Sequence, residues 1–136
     1  MILIIEQVGR EWNLRHPNGP RISINDISLK RGGYFDWTQP TPGHHTHHQA
    51  GRDADVRYVR NDRTEARCVL ALGEDCNPTN PQTKYSQSLT QQLVDLFCEA
   101  GVIEIYYNSD AGLTLPPGCL SHPVTSHTDH FHIKIR

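Results

Sequence analysis

Apolar and polar residues alternate with a period of two in three parts of the chain. These parts are residues 22–27, 53–59 and 130–135. Successive side chains of a β-strand point to opposite faces of its sheet, so this alternation is typical of strands that bury one face. The run VIEIYY at 102–107 adds a fourth predicted strand. Residues 108–121 are rich in proline and glycine and predict a long loop.

A helix is predicted at 88–100 from the spacing of its apolar residues, which occupy positions 89, 93, 96, 97 and 100. The opening SLTQ has the form of a capping box, and Gly101 is typical of the residue at which a helix ends. Apolar residues at 2–8, followed by Trp12, are compatible with either a helix or a strand. The pattern as a whole predicts a mixed fold of helices and strands.

Two short segments concentrate the side chains that commonly bind metals. GHHTHHQAGRDADV occupies 43–56 and contains four of the nine histidines, and HTDHFH occupies 127–132. Because residues two apart in a strand share a face, His130 and His132 would project together while Phe131 points to the core. The strand at 53–59 would likewise have a polar face, formed by Asp53, Asp55 and Arg57.

These two polar faces could together hold a zinc ion. Neutral imidazole and carboxylate are good zinc ligands, and a catalytic zinc usually has three protein ligands and leaves a fourth position for water. His48, Asp55 and one of the pair His130 and His132 would supply such a set. Asp53 shares a face with Asp55 and could take its place. We therefore expect one Zn²⁺ per chain.

The four cysteines lack the close C-x-x-C spacing of structural zinc sites and are expected to form disulfides. Pairing by proximity in sequence would join Cys68 to Cys76 and Cys98 to Cys119. Disulfides persist in oxidising compartments, so this pairing favours a location outside the cytoplasm.

Composition and charge exclude several classes of function. A chain of 136 residues fits one domain, so we expect residues 1–136 to form a single domain. The formal net charge of -2 and the pI near 6.5 provide no basic surface for nucleic acid. The opening MILII is too short for an export signal or a membrane span. We therefore expect no nucleic-acid partner, no membrane insertion and no visible leader.

HTHHQAGRDADV together with HTDHFH resembles the penicillin-insensitive murein endopeptidases, which belong with the zinc peptidases that include lysostaphin, D-Ala-D-Ala peptidases and the hedgehog domain. NDISLKRGG resembles the segment that precedes the first histidine in that family, and RYVRN follows the aspartate as expected. The resemblance runs from about residue 10 to the C-terminus. It implies an α+β fold in which a small antiparallel sheet carries the zinc site and is flanked by helices and long loops.

Carried over residue by residue, the resemblance makes His48, Asp55 and His132 the zinc ligands. It makes His130 and His127 catalytic or transition-state-stabilising groups, and it places His45 at the substrate-binding part of the site. There is no HExxH motif, so no helical glutamate is available as a base.

The implied activity is zinc-dependent hydrolysis of amide bonds in peptidoglycan cross-links, such as that between D-Ala and a diamino acid. The partners would then be peptidoglycan stem peptides, and the location periplasmic or extracellular. The alternative is a non-catalytic, hedgehog-like module that holds zinc and binds cell-wall peptide or a protein partner.

Overall fold

The computed structural model describes residues 1–27 and 51–136, which form an α+β fold of two α-helices and one five-stranded sheet. The helices are α1 (Ile2–Arg15) and α2 (Gln87–Glu99). The strands are β1 (Ile24–Ile27), β2 (Asp53–Arg57), β3 (Glu104–Asn108), β4 (Leu120–Val124) and β5 (His130–Lys134). The predicted α+β class is confirmed, and the apolar segment at the start of the chain is a helix.

The strand order is β1-β2-β5-β3-β4, with the two motif-bearing strands β2 and β5 side by side near the centre. All neighbouring strands are antiparallel except β3 and β4, which are parallel. The prediction of a purely antiparallel sheet is therefore wrong at this edge. The reason is β4, which begins at Leu120 inside the predicted loop and carries Pro123, a residue that a strand tolerates at the edge of a sheet.

One face of the sheet is apolar and packs against α2. Ala54, Val56, Phe131 and Ile133 are fully buried, and Phe131 contacts Phe97 of α2 edge to face with 6.1 Å between ring centroids. Helix α1 packs against α2 and buries Val8 and Trp12. The Trp12 indole N–H donates to the Pro20 carbonyl over 2.7 Å. This arrangement leaves the opposite face of the sheet for the polar side chains.

Helix α2 begins two residues earlier than the capping-box pattern predicts. Its N-cap is Ser86, whose hydroxyl accepts a hydrogen bond from the Leu89 N–H. The Gln91 side chain, predicted to complete the box, instead donates to the Thr114 carbonyl over 2.6 Å and accepts from the Thr114 N–H over 2.9 Å. It therefore fastens the loop after β3 to the helix.

Two disulfides join Cys68 to Cys76 and Cys98 to Cys119, which is the predicted pairing. They indicate an oxidising, non-cytoplasmic environment. Within residues 1–27 and 51–136, neither helix has the length and apolar character needed to cross a bilayer.

Candidate metal centre

The register of the sheet places Asp55, His132 and Tyr106 in a row across the polar face. Asp55 on β2 is the partner of His132 on β5, and His132 is the partner of Tyr106 on β3. The row follows from alternation, because Ala54, Val56, Phe131 and Ile133 occupy the buried face. The two sequence motifs therefore meet at His132.

His132 lies between two carboxylates. Its Nδ1 is 2.8 Å from Asp55 Oδ1, and its Nε2 is 3.2 Å from Asp53 Oδ1. The His132 side chain is only 8% exposed and that of Asp53 only 3% exposed. Turning the ring would leave buried carboxylate groups without their partners, which is costly away from water. These contacts therefore hold the ring in one orientation.

This donor set fits zinc. An imidazole nitrogen and a carboxylate oxygen are among its preferred ligands, and the contact of His132 Nδ1 with Asp55 Oδ1 places one of each side by side. Histidines that bind metal almost always donate their other ring N–H to a carboxylate or carbonyl, which is the position that Asp53 occupies here. Asp55 and His132 thus have the placement of ligands, and Asp53 has that of a supporting carboxylate.

The remaining predicted ligand, His48, and the predicted substrate-binding residue, His45, lie outside the described residues. Within the two described ranges, no three histidine, cysteine, aspartate or glutamate side chains form a group that could hold a metal ion.

His130 lies beside this pair on the same strand face. Its Nε2 is 3.8 Å from Asp55 Oδ2, too far for a hydrogen bond, and its Nδ1 is 2.8 Å from Asp129 Oδ1. Asp129 Oδ2 also accepts from Arg67 Nε over 2.6 Å. The hydrogen bond from His130 and the charge and hydrogen bond of Arg67 hold the pKa of Asp129 well below its usual range. His130 is therefore adjacent to the Asp55–His132 pair, and its Nδ1 is held by Asp129.

His127 reaches the same site from the loop between β4 and β5. Its ring centroid lies 4.9 Å from that of His130 and 6.2 Å from that of His132. Burial, reinforced by the neighbouring His130 and His132, lowers the pKa of His127 to about 4. His127 is therefore a neutral imidazole at neutral pH, able to donate or accept a hydrogen bond without carrying charge.

The backbone at His127 is held by two buried side chains. His127 has a φ of 57°, in the left-handed region that residues other than glycine seldom adopt. The Tyr58 hydroxyl donates to the His127 carbonyl over 2.9 Å and accepts from the Asn108 N–H over 2.8 Å. The Asn108 side chain donates to the carbonyls of Thr125 and Ser126. Tyr58 and Asn108 thus fix the loop that presents His127.

Tyr58→Phe is expected to loosen this loop without removing any side chain from the site. Two buried backbone groups would lose their partner, which should cost roughly 1–3 kcal/mol of unfolding free energy. The amide hydrolysis that the motif resemblance implies should also slow clearly in the folded variant, because small displacements of catalytic groups can lower rates by about 10²-fold. Thermal unfolding and muropeptide digestion measure the two effects.

Tyr85→Phe is the matched control, because the buried Tyr85 hydroxyl donates to the Ala111 carbonyl over 2.7 Å instead of to the His127 carbonyl, while its ring packs against Tyr58. It should lose stability but keep its activity. Equal activity losses in the two variants would contradict a specific role for Tyr58.

Several residues of this face were not predicted as site residues. The Tyr106 ring lies 5.7 Å from that of His132 and stacks on His122, with 4.3 Å between centroids. Asp129 and Arg67 were also missed. Tyr106 could have been found from the alternation of 102–107, which places it on the polar face, and Asp129 from its position inside HTDHFH. Arg67 has no such signal, because it lies 62 residues before Asp129.

No protein-family model matches the chain, and no curated protein sequence matches it significantly. The chemistry of the site is therefore inferred from the contacts of its own residues and from the two motifs.

Proposed function

We propose that this protein is a zinc-dependent peptidoglycan endopeptidase that hydrolyses amide bonds in peptide cross-links, such as that between D-Ala and a diamino acid. The observation that carries the proposal is the position of His132, with Asp55 at Nδ1 and Asp53 at Nε2. The substrate class comes from the resemblance of HTHHQAGRDADV and HTDHFH to the penicillin-insensitive murein endopeptidases.

The same proposal includes the finer fold and the location. A hedgehog-like or D-Ala-D-Ala peptidase-like arrangement is compatible with a sheet whose polar face carries the motifs and whose apolar face carries the helices. A periplasmic or extracellular location is compatible with two disulfides. Stem peptides of the cell wall would be accessible there.

His48, Asp55 and His132 would hold the zinc, which when bound would activate water and polarise the scissile carbonyl. Asp53 keeps the His132 ring oriented by accepting from its second nitrogen. Its nearly complete burial suits this task, because a carboxylate away from water makes a stronger hydrogen bond. Asp53 therefore supports the ligand set without belonging to it.

His130 is the residue best placed to move a proton. Its Nδ1 is occupied by Asp129, so Nε2 is the nitrogen that faces Asp55 and the site. General acid–base groups must lie within hydrogen-bonding reach of the reacting atoms, and Nε2 is the ring nitrogen of His130 that is left to make such a contact. His127, neutral at physiological pH, would stabilise developing negative charge on the carbonyl oxygen by donating a hydrogen bond.

Digestion of purified, cross-linked muropeptide dimers tests this function. We expect monomers to appear with the zinc-loaded protein, to disappear after treatment with a chelator, and to return when zinc is restored. Mass spectrometry of the products identifies the bond that is cleaved. Dimers that remain intact with fully zinc-loaded protein would contradict the proposal and would favour the non-catalytic binding module.

A further inference from the structure

We infer that Arg67 and Asp129 are positioning residues that fix the tautomer of His130, so that its Nε2 presents a lone pair to the site. The observation is a continuous hydrogen-bond chain in which Arg67 Nε donates to Asp129 Oδ2 over 2.6 Å and His130 Nδ1 contacts Asp129 Oδ1 over 2.8 Å. The inference rests on the proposed function only where it assigns a proton-accepting role to His130.

Backbone contacts bring the three residues of this hydrogen-bond chain together. The Leu70 N–H donates to the Thr128 carbonyl over 2.7 Å, which joins the segment after Arg67 to the residue before Asp129. Cys68, next to Arg67, is fully buried and bonded to Cys76. The buried Arg60 guanidinium donates to the Arg67 carbonyl over 3.3 Å. The segment 67–70 is thus held at three points, although the Arg67 side chain reaches the surface.

The tautomer follows from the chemistry of the carboxylate. An ionised carboxylate can only accept hydrogen bonds, so the contact between Asp129 and His130 Nδ1 requires a hydrogen on that nitrogen. A neutral imidazole has a single ring hydrogen, which leaves Nε2 without one. The opposite tautomer would direct an N–H at Asp55 and could not accept a proton from the site through Nε2. Asp129 therefore selects the form of His130 that can act as a base.

Arg67 makes this selection testable. In Asp129→Asn, the amide must choose which of its ends faces His130 and which faces Arg67. A guanidinium has no acceptor, so the amide oxygen would face Arg67 and the NH₂ would face His130 Nδ1. That NH₂ needs an acceptor, which forces the hydrogen of His130 onto Nε2. In a serine protease, the same exchange of carboxylate for amide beside the catalytic histidine imposes the wrong tautomer and lowers kcat about 10⁴-fold.

Removing Arg67 from the amide variant should therefore restore activity. With Arg67→Ala added to Asp129→Asn, the amide is free to turn its oxygen towards His130 and accept from Nδ1. We expect kcat to fall by about 10²–10⁴-fold in Asp129→Asn, at nearly unchanged KM and zinc content. The kcat of the double variant should be at least tenfold higher than that of Asp129→Asn. Arg67→Ala alone, in which the carboxylate is kept, should stay within about tenfold of the unchanged protein.

Ring ¹⁵N chemical shifts of His130 give a readout that does not depend on catalysis. In zinc-loaded, isotope-labelled full chain at a pH where His130 is neutral, the signals should show hydrogen on Nδ1. They should show hydrogen on Nε2 in Asp129→Asn, and the signal of Nδ1–H should reappear in the double variant. Glu11→Gln is the control, because it likewise exchanges carboxylate for amide at an Arg–carboxylate contact of 2.8 Å, but on α1, outside the sheet.

A double variant no more active than Asp129→Asn, or an unchanged His130 tautomer in Asp129→Asn, would overturn the inference. So would a loss of activity in Glu11→Gln as large as that in Asp129→Asn. Failure of the proposed function is distinguishable, because an unchanged protein that does not digest muropeptides would still report the His130 tautomer by NMR.

Discussion

Replacing His132 with alanine is expected to remove zinc from the protein and to reduce muropeptide hydrolysis to background. His132 contributes the one imidazole of the described ligand pair, and its Nδ1 lies 2.8 Å from Asp55 Oδ1. Loss of a residue that hydrogen-bonds to a metal ligand lowers metal affinity by about 10–100-fold, so loss of the ligand itself should lower it by more than about 100-fold. Metal analysis after dialysis should show close to one zinc per unchanged chain and almost none in the variant.

Asp55→Ala and Asp53→Ala form a matched pair that separates a ligand from its support. Both carboxylates contact His132, one at each ring nitrogen, and they lie two positions apart on β2. Asp55→Ala should lose zinc as completely as His132→Ala. Asp53→Ala should still bind zinc, with affinity lowered by about 10–100-fold. The reverse order of affinities would show that Asp53 is the ligand and Asp55 the support.

Two further histidines complete this experiment. His48→Ala should behave like His132→Ala, since His48 is the third proposed ligand. His122→Ala should keep zinc, because His122 stacks on Tyr106 one strand further from Asp55. Thermal unfolding of each variant identifies any that has failed to fold. Full zinc in all three ligand variants would contradict the proposed ligand set.

The placement of Asp55 and His132 could be predicted because local alternation determines which face of a strand a residue occupies. Val56 and Phe131 are fully buried, so their neighbours in sequence must point to the other face. Alternation alone left two choices open, Asp53 or Asp55 and His130 or His132. The two residues of each pair share a face. Which of them contacts which neighbour depends on the register between strands, and the sequence of one strand alone does not determine that register.

The edge of the sheet shows where the hydrophobic pattern carries no information. β4 pairs with β3 alone, and Leu120, Ser121 and Pro123 are exposed, so no apolar periodicity marks it as a strand. The start of the chain was ambiguous for a related reason. Helix α1 buries only Val8 and Trp12, four residues apart, while its other apolar residues leave part of their surface in solvent.

The contacts that orient His130 could not be predicted, because they join distant parts of the sequence. Arg67 lies directly before the loop that the Cys68–Cys76 disulfide closes and contacts Asp129, and its own neighbours in sequence give no sign of that contact. The Tyr58 hydroxyl similarly reaches the His127 carbonyl, 69 residues away. Sequence motifs thus predicted the side chains of the proposed site, and tertiary packing supplied the groups that hold them.

His130→Ala is expected to separate metal binding from catalysis. Its Nε2 is 3.8 Å from Asp55 Oδ2, so its removal leaves the contacts of Asp55 and Asp53 with His132 in place. Zinc content should stay near one per chain. Hydrolysis should fall by about 10²–10⁴-fold, the usual contribution of a general acid–base group. Metal analysis and initial rates of dimer digestion, measured on the same preparation, test both expectations.

The alternative assignments predict different results for the same variant. If His130 were the zinc ligand and His132 the proton-transfer group, His130→Ala would lose zinc and His132→Ala would keep it. If His127 were the main proton-transfer group, His130→Ala would keep both zinc and activity, while His127→Ala would lose activity alone. His127 is neutral, and its ring lies 4.9 Å from that of His130. If the two histidines act on one proton, the double variant His127→Ala/His130→Ala should therefore lose little activity beyond the larger of the two single losses. Losses that multiply in the double variant would instead assign the two histidines separate tasks, with His130 accepting the proton and His127 stabilising the oxyanion.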